Sequence, residues 1–255
     1  MKALLIDIDG VILSGDAPLP GAKEFVAWLL ESGRQFLFLT NYPSQTPADL
    51  VSRMGAAGIG VPPQHFFTSA MATAEFLSKQ AGTRRCAFVI GEGALVHEIY
   101  NLGFTISETD ADFVVLGETR HYNFEMIQRA AHLIKKGARF IATNPDVAGP
   151  TGRPSCGALA APIERITGKQ PFYVGKPNAF MMRAGLRHLD AHSADACMIG
   201  DNMETDIIAG VQAGMVTVLV LSGVSREEHL DHFAYRPDHI VPDAFALKEL
   251  LTGSI

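Results

Sequence analysis

Short, almost unbroken apolar runs alternate with helical periods along this chain, and several of the runs stop abruptly at polar residues. The first run, Ala3 to Ile6, ends at Asp7. Ala22, Phe25, Val26, Leu29 and Leu30 then follow the i, i+3, i+4, i+7, i+8 spacing of an amphipathic helix, and Gly33 supplies its C-terminal stop. Phe36 to Leu39 reads as a second buried strand. Further strands are expected at 86–90, 113–116, 139–142, 172–174, 196–199 and 216–221. Helices are expected near 47–57, 68–80, 94–102, 123–136, 157–167, 177–189 and 204–213. Strands apolar on both faces, alternating with helices, specify an α/β fold with a parallel sheet. These strands are too many and too unevenly spaced for one simple wound sheet. The stretch 83–175 carries its own strand-helix pattern, broken at Asn144-Pro145, Gly149-Pro150 and Gly152-Arg153-Pro154. It reads as a second domain inserted into a first, which leaves 1–82 and 176–255 as the core. No fixed-period repeat or low-complexity tract is apparent.

Size and charge narrow the possibilities. The chain has 255 residues, 47% hydrophobic and 19% charged, and a chain of this length buries about 70–75% of its unfolded surface without needing disulfides or a structural metal. Its three cysteines, Cys86, Cys156 and Cys197, show no zinc or redox spacing, so a reducing, cytoplasmic compartment is expected. The apolar run at 215–221 falls far short of the ~20 residues of a membrane helix, and Asp7 and Asp9 interrupt the N-terminal run too early for a signal peptide. The expected partner is therefore neither membrane nor nucleic acid, since a net charge of −6 offers no basic face. An acidic protein binds an anion only where a cation or local donors reverse the field. Whether the chain forms a homo-oligomer stays open.

Ligands of open α/β sheets bind beyond the carboxyl ends of the strands. Asp7 and Asp9 stand there after the first strand, and Thr40 and Asn41 after Phe36–Leu39. Gly175-Lys176-Pro177 follows 172–174, and Gly200-Asp201-Asn202-Met203-Glu204-Thr205-Asp206 follows 196–199. Four strands would thus bring carboxylates, a hydroxyl and an ammonium to one edge of one sheet. That set suits phosphoryl transfer. Asp7 and Asp201 can share a magnesium ion, which favours oxygen ligands and few carboxylates. A carboxylate can form an aspartyl-phosphate and so split one hard step into two, while Asp9 protonates the leaving oxygen and then deprotonates water. Thr40 and Lys176 would hold phosphoryl oxygens. Each signal has a plain alternative: Asp-x-Asp is common in solvated turns, Asp201 or Asn202 could cap a helix, and Lys176 could begin one at the surface. The whole set, in this order and at strand ends, favours chemistry.

Asp7-x-Asp9-Gly10-Val11, Leu39-Thr40-Asn41, Gly175-Lys176-Pro177 and Gly200-Asp201-Asn202-x-x-Thr205-Asp206 resemble the four motifs of the haloacid-dehalogenase-like superfamily, in order. The resemblance implies a Rossmann-like parallel-sheet core, with the insertion as an α/β C2-type cap that covers the site and reads the leaving group. Asn41-Tyr42-Pro43-Ser44-Gln45-Thr46, Gly91-Glu92-Gly93-Ala94-Leu95, Ala142-Thr143-Asn144-Pro145-Asp146 and Cys156-Gly157-Ala158-Leu159 are similar to the NagD-type nucleotide phosphatases of subfamily IIA. By that resemblance Asp7 is nucleophile and Mg2+ ligand, and Asp9 is acid/base and binds the metal through its backbone carbonyl. Thr40, Asn41 and Lys176 bind phosphate, Asp201 binds metal, Asp206 supports it, and Asn202, Met203, Glu204 and Thr205 touch the ligand. The implied partner is a small phosphorylated metabolite such as UMP. A sugar-phosphate, pyridoxal-phosphate or glycerol-phosphate phosphatase on the same core is the alternative. Asn144, Asp146 and Cys156 are the candidates for choosing among them. A phospho-receiver domain would need neither Asp9 nor the insertion. A phosphonate hydrolase would need a cap lysine for Schiff-base chemistry, and Lys135, Lys136 and Lys169 sit in polar helix-end contexts instead.

Other signals mislead. His188 and His192 have zinc-helix spacing, but Leu189 stands where the glutamate would, and an exposed face is expected. Gly91-x-Gly93 meets Val96 instead of a third glycine, and no Walker A motif occurs. Cys156 precedes an expected helix whose N-terminus would lower its pKa, yet pocket lining or packing is the favoured role. Trp28, Phe66 and Phe67 are expected in the core.

Overall fold

The computed structural model describes residues 2–149 and 152–253, so Pro150 of the expected Gly149-Pro150 break lies outside the described residues. The chain forms two compact units. One comprises Met1–Thr40, Pro47–Phe67 and Lys176–Ile255, the other Asn41–Thr46 and Thr68–Gly175.

In the first unit six strands lie in the order His239–Val241, Val216–Val220, Ala196–Gly200, Ala3–Ile6, Gln35–Thr40, Phe66–Thr68. Ala3–Ile6 is central, with Ala3 opposite Ala196 on one side and Gln35 on the other, both pairings parallel. Its four side chains are all buried, which is why it lacks the in-out alternation of a sheet with one wet face. Phe25, Val26 and Leu29 of the helix Ala22–Glu31 join Leu4, Ile6, Phe36 and Phe38 in the main core. Leu30, assigned to that helical face, is instead 40% exposed. Trp28 is partly buried against the core, with the Arg34 guanidinium 5.4 Å from its ring centroid. The antiparallel hairpin Leu13–Ser14/Ala17–Pro18 and the strand His239–Val241 are too short to show a period, whereas the helix Ala244–Gly253, also not among the expected elements, buries Ala244, Leu247 and Leu251 at i, i+3, i+7.

The second unit has its own parallel sheet, ordered Phe172–Tyr173, Arg139–Ala142, Phe113–Leu116, Cys86–Ile90, Thr105–Ile106. This corrects the expectation that four site-bearing strands share one sheet. Phe172 and Tyr173 pair with Ile141 and Ala142, and the ladder runs on through Val174 N–H to Ala142 O and Gly175 N–H to Thr143 O. Lys176 therefore enters the first unit on the connection that follows, not on a strand of its sheet. The units divide at Phe67/Thr68 rather than 82/83. The helix Ser69–Gln80 belongs to the second, where Phe76 stacks on Phe172 at 4.7 Å between centroids and Arg139 donates to Gln80 O at 3.0 Å. Among the described residues no helix is long and apolar enough to cross a membrane.

Candidate active site

Asp7 is held by the strand it terminates. Its backbone N–H donates to Ile199 O at 2.8 Å, extending the central ladder by one rung. Its side chain is 13% exposed, and Oδ1 accepts from Lys176 Nζ at 2.7 Å. Lys176, only 2% exposed, also lies 2.7 Å from Asp206 Oδ1 and donates to Leu39 O at 3.1 Å. One ammonium thus ties the ends of two neighbouring strands to the segment after the third. Thr40, buried, closes the strand Gln35–Thr40.

Asp201 follows the strand Ala196–Gly200, and five residues later comes Asp206, fully buried. Between them Met203–Ile207 forms a π-helical turn, with Ile207 N–H reaching Asn202 O. Such turns recur at functional sites because the wider spacing redirects side chains. Asn202 caps it through Oδ1, which accepts from Glu204 N–H at 2.9 Å, while Asn202 N–H donates to Asp206 Oδ2 at 3.2 Å. Met203, a ligand-contact candidate, buries its side chain with Ile207, Leu219 and Leu230. Glu204 is exposed, and Asn202 and Thr205 are half-buried.

The loop 222–225 is a part of the site that sequence reasoning missed. Val224 N–H donates to Asp201 Oδ2 at 2.7 Å, Ser225 N–H to Asp201 O at 3.0 Å and Ser222 Oγ to Gly10 O at 2.7 Å, while Ser225 Oγ accepts from Met203 N–H at 3.0 Å. A Cβ at Gly10 or Gly223 would overlap the Asp201 carboxylate, and Gly10 also sits at φ +87°. These contacts are made largely by backbone atoms, which leave no signature in side-chain identity.

Asp7, Asp201 and Asp206 each offer a carboxylate oxygen within 4.8 Å of the others. Burial lifts the Asp7 carboxyl well above its ordinary range; Lys176 pulls it back, and Asp206 and Asp201 push it up again. Asp201 is pushed up to about 7, by burial first and the Asp206 charge next, against the Val224 N–H bond. Burial opposes the Lys176 ammonium, but Asp206 and Asp7 together outweigh it and hold that group above its usual range. Fully ionised, three carboxylates against one ammonium would leave a surplus of two negative charges in a nearly dry space. The donors are all hard oxygens. A divalent cation such as magnesium fits this set on charge and on ligand type. The carboxylate of Asp206, assigned a supporting role, lies inside the group, whereas that of Asp9 does not. Asp9 Oδ1 accepts instead from Arg53 Nη2 at 2.6 Å.

In the second unit, Asn41 donates through Nδ2 to Asp146 Oδ2 at 3.0 Å, and its carbonyl accepts from Asn144 Nδ2 at 2.9 Å and Ser69 Oγ at 2.6 Å. Ser155 Oγ donates to Glu118, a residue the sequence did not single out, whose carboxyl is raised by burial. Cys156 is fully buried, with Sγ 3.3 Å from Leu116 O. Its thiol is pushed up to about 11, so desolvation outweighs the helix N-terminus and the side chain serves packing. The other two cysteines are also buried, as are Phe66 and Phe67. His188 ends its helix and His192 lies beyond it; both are exposed, and the carboxylate trio is the sole metal-capable group among the described residues.

Comparison with known proteins agrees with this geometry. The family model described as "Haloacid dehalogenase-like hydrolase" matches residues 4–105, and one described as "HAD-hyrolase-like" matches 173–247. The chain is 51% identical over 242 residues to "Ribonucleotide monophosphatase NagD" of Escherichia coli, covering 95% of this chain and 96% of that protein. The solved structure of NagD superposes with a TM-score of 0.92, covering 96% and 97% of the two chains at 50% identity. A "Dihydroxyacetone phosphatase" of Corynebacterium glutamicum is 44% identical, over 93% of this chain and 87% of the relative. The crystal structure of a glycerol phosphate phosphatase of Mycobacterium tuberculosis in complex with magnesium, 28% identical, has a TM-score of 0.90 over 98% of this chain and 78% of its own. On sequence, fold and the arrangement of its strand-end residues, this chain belongs to the haloacid dehalogenase-like hydrolase family.

Proposed function

We propose that the chain is a magnesium-dependent phosphatase of small phosphate monoesters, with nucleoside 5′-monophosphates such as UMP as preferred substrates and Asp7 as nucleophile. The observation that carries the chemistry is the Asp7–Lys176–Asp206–Asp201 cluster at the end of the central strand. The identity to a ribonucleotide monophosphatase supports the substrate class, and a cytoplasmic location is part of the same reading.

Asp7 would attack phosphorus through a carboxylate oxygen as the bond to the ester oxygen breaks, giving an aspartyl-phosphate. Asp9 would supply the proton that turns the departing oxygen into an alcohol. The carboxylate so formed would take a proton from water, whose oxygen displaces Asp7 and releases phosphate. Lys176 would hold Asp7 in place and offset charge on the phosphoryl oxygens. Thr40 would donate to the same oxygens. Asp7, Asp201 and Asp206 would hold magnesium, which when bound neutralises the charge between carboxylate and ester. Asn144 and Asp146 are the proposed selectivity residues. A kcat/KM panel with magnesium over nucleotides, sugar phosphates, glycerol phosphate, dihydroxyacetone phosphate and pyridoxal phosphate tests the reading. Nucleotides should lead. No turnover of any ester would overturn the phosphatase reading, and a sugar or triose phosphate in the lead would overturn the substrate.

A further inference from the structure

Arg53 was unremarkable in the sequence: a basic residue in the last turn of the helix Pro47–Ala56, where a cation is favoured anyway. Its guanidinium, however, does not lie along the helix end. The side chain is 14% exposed and crosses to the turn after the central strand. Nη2 donates both to Asp9 Oδ1 and to Gly15 O, each at 2.6 Å, and Nε lies 3.5 Å from Asp16 Oδ1. Burial works against this charge, and the Asp9 bond is the largest contribution opposing it. The carboxylate of Asp9 is thus fixed by one oxygen.

Resting on the proposed reaction, we infer that Arg53 is the positioning residue for the proton-transferring carboxylate of Asp9. With Oδ1 held by a rigid fork, Oδ2 is the oxygen that meets the ester. In the first step the bond from Asp7 to phosphorus forms, the bond to the leaving oxygen breaks, and the proton on Asp9 passes to that oxygen. A carboxylate free to rotate would present the proton in the right direction for only part of the time. Arg53 touches neither substrate nor phosphorus in this scheme; it acts through Asp9. A clamp serving only the hairpin would hold Gly15 and Asp16 and leave proton transfer indifferent.

Leaving-group dependence separates the two roles. p-Nitrophenolate departs without a proton, whereas the alkoxide of UMP needs one. Because kcat/KM reports the steps through departure of the alcohol, the ratio of kcat/KM for UMP to that for p-nitrophenyl phosphate isolates proton delivery. Arg53→Gln should lower that ratio by about tenfold or more, part of the range that acid–base catalysis supplies. Arg53→Lys, which keeps charge and length, should lower it less and provides the reading if the glutamine variant does not fold. Asp16→Asn, at an exposed partner, should leave the ratio unchanged. Adding Arg53→Gln to Asp9→Asn should change it no further, since both act through one group. Equal losses on the two esters, no loss on either, or additivity in the double variant would overturn the role of Arg53 while the phosphatase reading stands. If the unmodified protein with magnesium hydrolyses neither ester, the phosphatase reading fails and the role falls with it.

Discussion

Asp201→Asn should stabilise the metal-free protein, because the buried carboxylates are in tension. Asp201 is 3% exposed, and burial and Asp206 lift its carboxyl from the ordinary 3.8 to about 7. A group whose pKa is raised on folding costs nothing below its unfolded value. The cost grows as pH rises and is complete above the folded value. Integrating this shift gives a ceiling of about 4 kcal/mol at about pH 8 and roughly 2 kcal/mol at about pH 5. Asparagine keeps an acceptor for the Val224 N–H and has nearly the same shape, so it removes the charge and little else. For a chain of this size the gain corresponds to roughly 10 °C in the unfolding midpoint near pH 8 and about half that near pH 5. Scanning calorimetry in EDTA at both pH values reads it directly. Excess magnesium should narrow the difference: saturation to about 100 times Kd stabilises the unmodified protein by ~3 kcal/mol, and the variant gains much less. A variant less stable than the unmodified protein in EDTA near pH 8, or an equal gain from magnesium, would refute the tension argument.

Asp7→Asn should reduce kcat by several orders of magnitude with the circular dichroism spectrum unchanged; retention of more than a few per cent would remove Asp7 as nucleophile. Lys176→Met leaves two buried carboxylates without their cation and should cost about 3–5 kcal/mol in denaturant unfolding; a loss under about 1 kcal/mol would show that the ammonium is dispensable to the fold. Gly223→Ala drives a methyl group into the Asp201 carboxylate and should weaken magnesium binding by about tenfold in calorimetry, as disturbance of a ligand's support does elsewhere. Asp9→Asn should spare magnesium affinity better than Asp201→Asn, because the Asp9 carboxylate lies outside the trio; equal losses would contradict that separation.

Legibility in the sequence followed the kind of signal each part leaves. Strands buried on both faces announce themselves as apolar runs, so Ala3–Ile6, Cys86–Ile90 and Phe113–Leu116 could be read to within a residue or two. His239–Val241, with only Val241 buried, could not. Which strand belongs to which sheet is a matter of long-range pairing, and nothing in the 172–174 run reveals its register with Arg139–Ala142. Asp7, Thr40, Lys176 and Asp201 were legible because each breaks an apolar run or follows one. Arg53 sits on an amphipathic helix among other polar residues, and its reach to Asp9 depends on the hairpin that brings Gly15 and Asp16 alongside. Ser222 to Ser225 act mainly through backbone groups and hydroxyls, and Gly223 by lacking a side chain.

The segment after Asp201 resolves a choice that sequence alone left open. Gly200-Asp201-Asn202 could be read as the start of a capped helix or as a ligand-bearing loop, as if the two excluded each other. In the structure Asn202 does cap, through Oδ1 to Glu204 N–H, and the same residue's N–H holds Asp206 Oδ2. Capping fixes where the π-helical turn begins, and the turn carries Asp206 inward to Lys176 and the other two carboxylates. A less tightly defined helix start would leave the position of Asp206 less fixed, and with it the charge that Lys176 and a cation must balance. The cap is therefore part of how the carboxylate group is built, and finding a structural role for such a residue is no evidence against a chemical one.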